Sequence, residues 1–478
     1  MKRREALQAI GAVSLSSFVT KTNTAQAATS DDTKRGVHGK GSSHQFADVS
    51  DLLLSDPHFL SKTNPIATVD QRDLEALALR IFQMPIVLKA KIRAADHWKT
   101  IVGRNITTEA LARFDELVEE WAFNYTLKAV NSDANYPKVL GHLYGPPHEW
   151  FGMKVPGSRA SGGDGPDNHY RIIPIDANAR YEIHGRRFDP APADVPFSLT
   201  GNMSLTMTLG ILEWQDVQVN PDGTFVITVD PKPANGRKNH IQTKPGALYI
   251  FIRDCRADWR QIPNAYRVKR LDPPTSLPLT IDQMAERAAL TMVDDVPAVY
   301  WFMSVMAGVE TNTITPPFNM GAIGGLVSQK NSFARLNLSD DEAFVATIGS
   351  GDAPFHDFVL QDFWFRTFNY WNHTSTMNNS QGVTNADGST TYVVCARDPG
   401  VHNWIDTLGF HELLIVNRWQ GFPRNADPDR LPWAKGKLVK FTDIDQVLPG
   451  DMKRVTPTER DKQLAERLAQ FQLRYVDR

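Results

Sequence analysis

Apolar residues recur at offsets of three and four between about residues 69 and 132, the period of a helix with one buried face. Leu111, Phe114, Leu117, Val118, Trp121, Ala122 and Tyr125 share such a face, and Glu116, Glu119 and Glu120 are expected on the opposite one. From about residue 140 the period falls to two. Thr224-Phe225-Val226-Ile227-Thr228-Val229 and Ala247-Leu248-Tyr249-Ile250-Phe251-Ile252 read as strands bounded by turn residues. A Pro-rich stretch from Pro273 to Pro278 closes this region, and Thr280 with Gln283 predicts a capping box at the start of a helix. Gly321-Ala322-Ile323-Gly324-Gly325 lacks the spacing of a dinucleotide fingerprint and reads as a loop. Strands resume between about 343 and 420. A last helix is predicted where Thr456 caps, Pro457 enters the first turn and Glu459 completes a capping box, with Leu464, Leu468 and Phe471 on its apolar face.

These changes of period divide the chain. Residues 1–28 are read as an export signal and 29–65 as a polar linker. A helical region spans 66–135 and a first β-rich unit 136–275. A helical and Gly-rich connector spans 276–330, a second β-rich unit 331–425, and an extension ending in a helix 426–478. The expected fold class is mainly β with flanking helices (α+β).

The two β-rich units carry the same marks. Asn220-Pro221-Asp222-Gly223 is followed by Asn239 and Arg253, and Asn385-Ala386-Asp387-Gly388 by Asn403 and Arg418. From Asp222 to Arg253 and from Asp387 to Arg418 the separation is 31 residues in both units. Each Asp-Gly pair predicts a hairpin turn, because glycine tolerates the positive φ such turns need. Upstream, Phe197-Ser198-Leu199-Thr200 resembles Trp364-Phe365-Arg366-Thr367. The repeat predicts a duplicated β-sandwich or jelly-roll-like unit.

The second unit also contains Asn369-Tyr370, Thr374-Ser375-Thr376-Met377-Asn378, Arg397-Asp398-Pro399-Gly400, Asn403-Trp404-Ile405-Asp406-Thr407-Leu408-Gly409 and Arg418-Trp419-Gln420-Gly421. In these residues the chain resembles the bacterial family catalogued as domain of unknown function 1214. The first unit resembles a diverged copy through Asp167-Asn168-His169-Tyr170, Tyr181-Glu182-Ile183-His184-Gly185 and Asp258-Trp259, with His240 where the second copy has Trp404. The resemblance implies a jelly-roll-like β fold and no particular reaction.

Composition narrows the function classes. With 52 basic and 54 acidic residues the charge is balanced, which argues against a nucleic-acid partner. Arg3-Arg4, the mildly apolar run from Ala9 to Val19, Lys21, and Ala25-Gln26-Ala27 fit a twin-arginine export signal. The expected location is therefore the periplasm or the exterior, with the twin-arginine machinery as a partner. No apolar run suits a membrane span in the mature chain. Cys255 and Cys395 are the only cysteines; they leave a single disulfide open without establishing it, and they form no C-x-x-C motif. No cofactor and no metal site follows from the sequence. His142, His148 and Glu149 are not spaced as a helical zinc motif, and Gly145-Pro146-Pro147 breaks the chain between the histidines.

The richest candidate chemistry lies in residues 369–373, 397–406 and 418–419. Asp398 and His402 are the candidate catalytic acid–base pair, provided the loop brings them within hydrogen-bond reach. Arg418 offers a planar fork to an anionic group, or a partner to Asp398 or Asp406. Trp371 and Trp404, with Trp364 and Trp419, offer stacking faces, and Asn403, Tyr370 and His373 complete the candidate substrate-binding set. Two functions follow. One is an exported enzyme of unassigned reaction on a glycan or other polar, ring-containing substrate. The other is a binding or carrier protein for an apolar ring compound or lipid.

Overall fold

The computed structural model describes residues 56–476, apart from 143–144, 161, 202–206, 307, 320, 322–325 and 327. The predicted export signal, most of the linker and most of the Gly-rich loop at 321–325 lie outside the described residues. Among those described, helices flank several β-sheets, and no helix is long and apolar enough to cross a membrane.

Among the described residues four α-helices precede the sheets: α1 (Val69–Phe82), α2 (Pro85–Val102), α3 (Thr108–Ala112) and α4 (Phe114–Val130). Helices α5 (Ile281–Asp294) and α6 (Val296–Met306) join the two β-rich units, and α7 (Pro457–Gln472) follows the second. The capping boxes predicted at Thr280 and Thr456 both form, the Thr hydroxyl and the Gln283 or Glu459 side chain each satisfying a backbone N–H. Helix α4 departs from the one-faced pattern. Packed between α1, α2 and α5, it is buried almost all round, and Glu120 is buried with the rest. Leu111, expected on the apolar face, belongs instead to α3 and is exposed.

The first unit holds β1 (Leu140–Gly141), a small hairpin of β2 (His148–Trp150) and β3 (Met153–Val155), then β4 (Asn168–Pro174), β5 (Tyr181–Arg186), β6 (Phe197–Thr200), β7 (Thr208–Leu212), β8 (Thr224–Asp230), β9 (His240–Gln242), β10 (Tyr249–Cys255) and β11 (Ala265–Arg270). The second holds β12 (Thr313–Ile314), β13 (Phe318–Asn319), β14 (Lys330–Asn337), β15 (Glu342–Gly349), β16 (Phe355–Gln361), β17 (Thr376–Asn378), β18 (Thr390–Cys395), β19 (Trp404–Asp406), β20 (Glu412–Gln420) and β21 (Trp433–Lys440). One sheet of the first unit runs β1-β4-β10-β6-β7 and the other β11-β5-β8-β9. The second unit repeats both orders as β12-β14-β20-β16-β17 and β21-β15-β18-β19. A parallel strand pair recurs too, β8 with β9 and β18 with β19. No pairing among the described strands closes either pair of sheets into a barrel. The likeness of Phe197–Thr200 to Trp364–Thr367 does not follow this correspondence: the counterpart of β6 is β16, and residues 364–367 follow that strand.

The strands at the middle of the large sheets are buried on both faces. One face of β4 and β10 joins the core shared with the smaller sheet, through Ile173, Ile250 and Ile252. The other face, with Ile172 and Phe251, joins a central cluster with Trp98, Trp121 and Phe123 of the helices and Phe333, Leu414 and Val416 of the second unit. The helices and the outer faces of both large sheets therefore share one core, and polar residues on those faces are carried into the junction between the units.

Candidate functional site

The asparagine marks of the repeat are spent on turns and loops. Asn220 and Asn385 close equivalent turns, with Gly223 and Gly388 both at φ 84°. Asn239 accepts from the backbone N–H of Gln218 at 2.7 Å and donates to its carbonyl at 2.8 Å. Asn403 does the same with Val383, at 2.8 and 2.7 Å, and donates also to the Thr391 carbonyl at 3.0 Å. Its amide holds a loop against β18, so its placement is architectural.

Asp398 and His402 do not meet. The Asp398 carboxylate accepts from the Gly400 N–H at 2.8 Å and takes a fork from Arg460 of α7, at 2.9 and 3.0 Å. Arg460 also lies over the Trp404 ring, 5.1 Å from its centre. His402 turns its Nε2 to the Gln381 carbonyl at 3.1 Å, with the Gln463 side-chain amide nitrogen 3.3 Å from the same atom. Burial, reinforced by Lys453 and Arg460, holds its pKa below the usual imidazole range. The Trp404 indole N–H donates to the Cys395 carbonyl. This loop is clamped by the terminal helix.

Tyr370 is buried edge-on to Trp259 and Phe471, and Trp371 stacks on Phe471 of α7 at 5.7 Å. Trp364 and Trp419 are core residues. His373 does find a carboxylate, its Nδ1 lying 2.8 Å from Asp406 Oδ2, while the Leu408 N–H fixes the other oxygen. The His373 side chain stays 38% exposed, which leaves this imidazole accessible.

Arg418 pairs with neither Asp398 nor Asp406. It lies on β20 at the junction of the units, its Nη1 3.2 Å from Asp357 Oδ2 and its Nη2 donating to the carbonyls of Gly163 and Asp164. Burial pushes the Asp357 carboxyl up, and the Arg418 guanidinium opposes that shift. The two cysteines are buried and free, so no disulfide joins them. His148 stacks on Tyr475 at 4.1 Å, and no metal-binding group of three or more His, Cys, Asp or Glu side chains occurs among the described residues.

A cleft of about 410 Å³ opens between the two units. The first unit supplies Glu213 and Gln215, beyond β7; the second supplies Lys330 at the start of β14, and Phe422, Arg424 and Leu431 after β20. The Lys330 ammonium lies 5.9 Å from the Phe422 ring centre and makes no ion pair among the described residues. Arg424 is paired with Asp216, and burial raises the Glu213 carboxyl. Sequence reasoning missed this set. Its members are scattered between positions 213 and 431, and none stands in a motif.

No protein-family model and no curated protein matches the chain. Among solved structures, an uncharacterized protein from Burkholderia cenocepacia is similar, with a TM-score of 0.62 and 21% identity over 77% of this chain and 100% of that one. A protein from Vibrio parahaemolyticus aligns with a TM-score of 0.38 and 10% identity over 68% of this chain and 99% of that one. The first likeness shows the fold alone.

Proposed function

We propose that this chain is an exported, periplasmic binding or carrier protein for a small ring compound bearing an anionic group. The cleft between the units carries this reading: a Phe422 and Leu431 surface beside an ammonium, Lys330, that makes no ion pair among the described residues, with Glu213 in the same lining. The twin-arginine-like N-terminal sequence and the kinship to the domain of unknown function 1214 family belong to the same proposal. So does descent of the two units from one duplicated sandwich, for which the matching strand orders are the support.

Calorimetric titration of the mature protein with naphthalene-2-sulfonate tests the reading. Saturable 1:1 binding is expected, with Lys330→Met weakening it about tenfold, equal to about 1.4 kcal/mol. Equal binding by the variant, or none by the parent, rejects the cleft as the site. A second reading, an enzyme on a glycan or similar polar substrate, draws on the His373–Asp406 pair, since a carboxylate at Nδ1 is the usual orientation of a general-base imidazole.

A further inference from the structure

Arg253 on β10 and Arg418 on β20 stand at equivalent points of the repeat, both at the junction of the units. In the second unit the residue across from Arg418 on β16 is Asp357, whose carboxylate receives both the backbone N–H and the guanidinium of Arg418. In the first unit Ile252 pairs with Phe197, so the position across from Arg253 belongs to Pro196, whose carbonyl accepts the Arg253 N–H at 3.3 Å. A proline stands where the second copy keeps its counter-charge.

Arg253 is nevertheless 93% buried, being 7% exposed. Its guanidinium lies over the Phe251 ring at 4.1 Å and donates through Nη1 to Ser198 Oγ at 2.8 Å, and it makes no ion pair among the described residues. The titratable groups close enough to interact with its charge include Tyr170, Cys255, Asp194, His142 and the like charge of Arg418. Asp194 is a poor counter-ion: it is tied to the Gln420 amide at 3.2 Å, and burial pushes its carboxyl up to about 7. A buried guanidinium is costly without a negative charge beside it.

We propose that Arg253 is the receptor of a second site, independent of the cleft, for a small oxyanion at the junction of the two units. The planar fork suits carboxylate or sulfate oxygens. Ser198 adds a donor, because its oxygen already accepts from Arg253 and its own proton meets no acceptor among the described residues.

Thermal unfolding of the full mature chain in sodium acetate and in sodium sulfate, each at ionic strength matched with sodium chloride, tests the site. The parent protein is expected to gain about 3 °C, saturably, at roughly 100 times the dissociation constant. Arg253→Met abolishes that gain. Pro196→Asp restores the internal carboxylate of the other copy, so it raises the anion-free Tm and also abolishes the response. A response to acetate but not sulfate assigns a carboxylate ligand, and the reverse a tetrahedral one. No saturable gain in the parent, or a gain that survives in Pro196→Asp, overturns the proposal; the latter decides it even where Arg253→Met fails to fold.

Discussion

Glu120 is the carboxylate on which three parts of the fold converge. It sits on α4 and accepts from Arg159, through the backbone N–H at 2.9 Å, Nε at 3.0 Å and Nη2 at 2.5 Å, and from Arg366 Nη1 at 3.1 Å. Arg159 lies between the β2–β3 hairpin and β4, and Arg366 follows β16, so one side chain ties the helices to both β-rich units. All three side chains are at most 4% exposed. Gly157 is needed beside it, because a Cβ there would lie 2.6 Å from Glu120 Cδ. Replacing Glu120 with Ala leaves the Arg159 guanidinium hydrogen-bonded, among the described residues, to the Thr367 and Phe368 carbonyls, with no ion pair. Removing one member of such a buried network costs about 3–5 kcal/mol, because the remaining charge is stranded rather than merely unpaired in water. Glu120→Gln keeps the volume and costs about 2 kcal/mol, the worth of charge-assisted hydrogen bonds. Burial alone would raise the Glu120 carboxyl, but Arg159 and Arg366 outweigh it and hold the pKa below the usual range. Its contribution is therefore complete above the unfolded carboxylate pKa and fades as pH falls through the folded one. Urea unfolding followed by tryptophan fluorescence, at neutral pH and again near pH 3, measures both effects. A loss under about 1 kcal/mol for Glu120→Ala at neutral pH, or a gap from the parent that fails to narrow in acid, would refute the reasoning.

Burial pushes the Glu75 carboxyl up to about 7, despite hydrogen bonds from Gln71 and Trp150. The folded state thus keeps a proton that the unfolded chain releases near pH 4.5, so Glu75 makes stability fall as pH rises from there to about 7, by up to about 3 kcal/mol. Glu75→Gln should remove that slope in a pH series of urea midpoints, and an unchanged slope would place the titration elsewhere. Asp398→Asn should loosen α7 by about 1 kcal/mol, discounted for the partial exposure of Asp398, and leave naphthalene-2-sulfonate binding unchanged. A loss of binding or of turnover at full stability would return the 397–406 loop to the functional site.

The sequence was most informative where the controlling interactions are local. The Asn-x-Asp-Gly turns could be read because the turn geometry itself requires a positive φ at the glycine, and the capping boxes because both partners lie within one helical turn. The repeat was legible through the same turns, down to the equivalent loop clamps of Asn239 and Asn403. The roles of the marked residues were not. Asp398 and His402 are four residues apart, yet the partner of Asp398 is Arg460 in the last helix, 62 positions away. Arg418 was expected to hold an anionic group or to pair with Asp398 or Asp406, and its ionic partner is instead Asp357 on the neighbouring strand. The cleft residues gave no signal because each is ordinary in its own segment.

By itself, then, the sequence determined the helical and β-rich regions, the capped helix starts and the doubled turns, since periodicity and backbone stereochemistry act over a few residues; β14 and β21 lie outside the stretch of 343–420 read as strands, because only their sheet partners hold them there. Only the tertiary structure decided which charges were buried and what faced them. The large sheets pack on both faces, so Glu120, Arg253 and Arg418 are carried out of water into the shared interior. There, long-range placement decides whether a charge becomes a strut, as Glu120 does, or is left with no ion pair among the described residues, as Arg253 is. The cost of removing an ion from water depends on every neighbour in space and on no pattern along the chain.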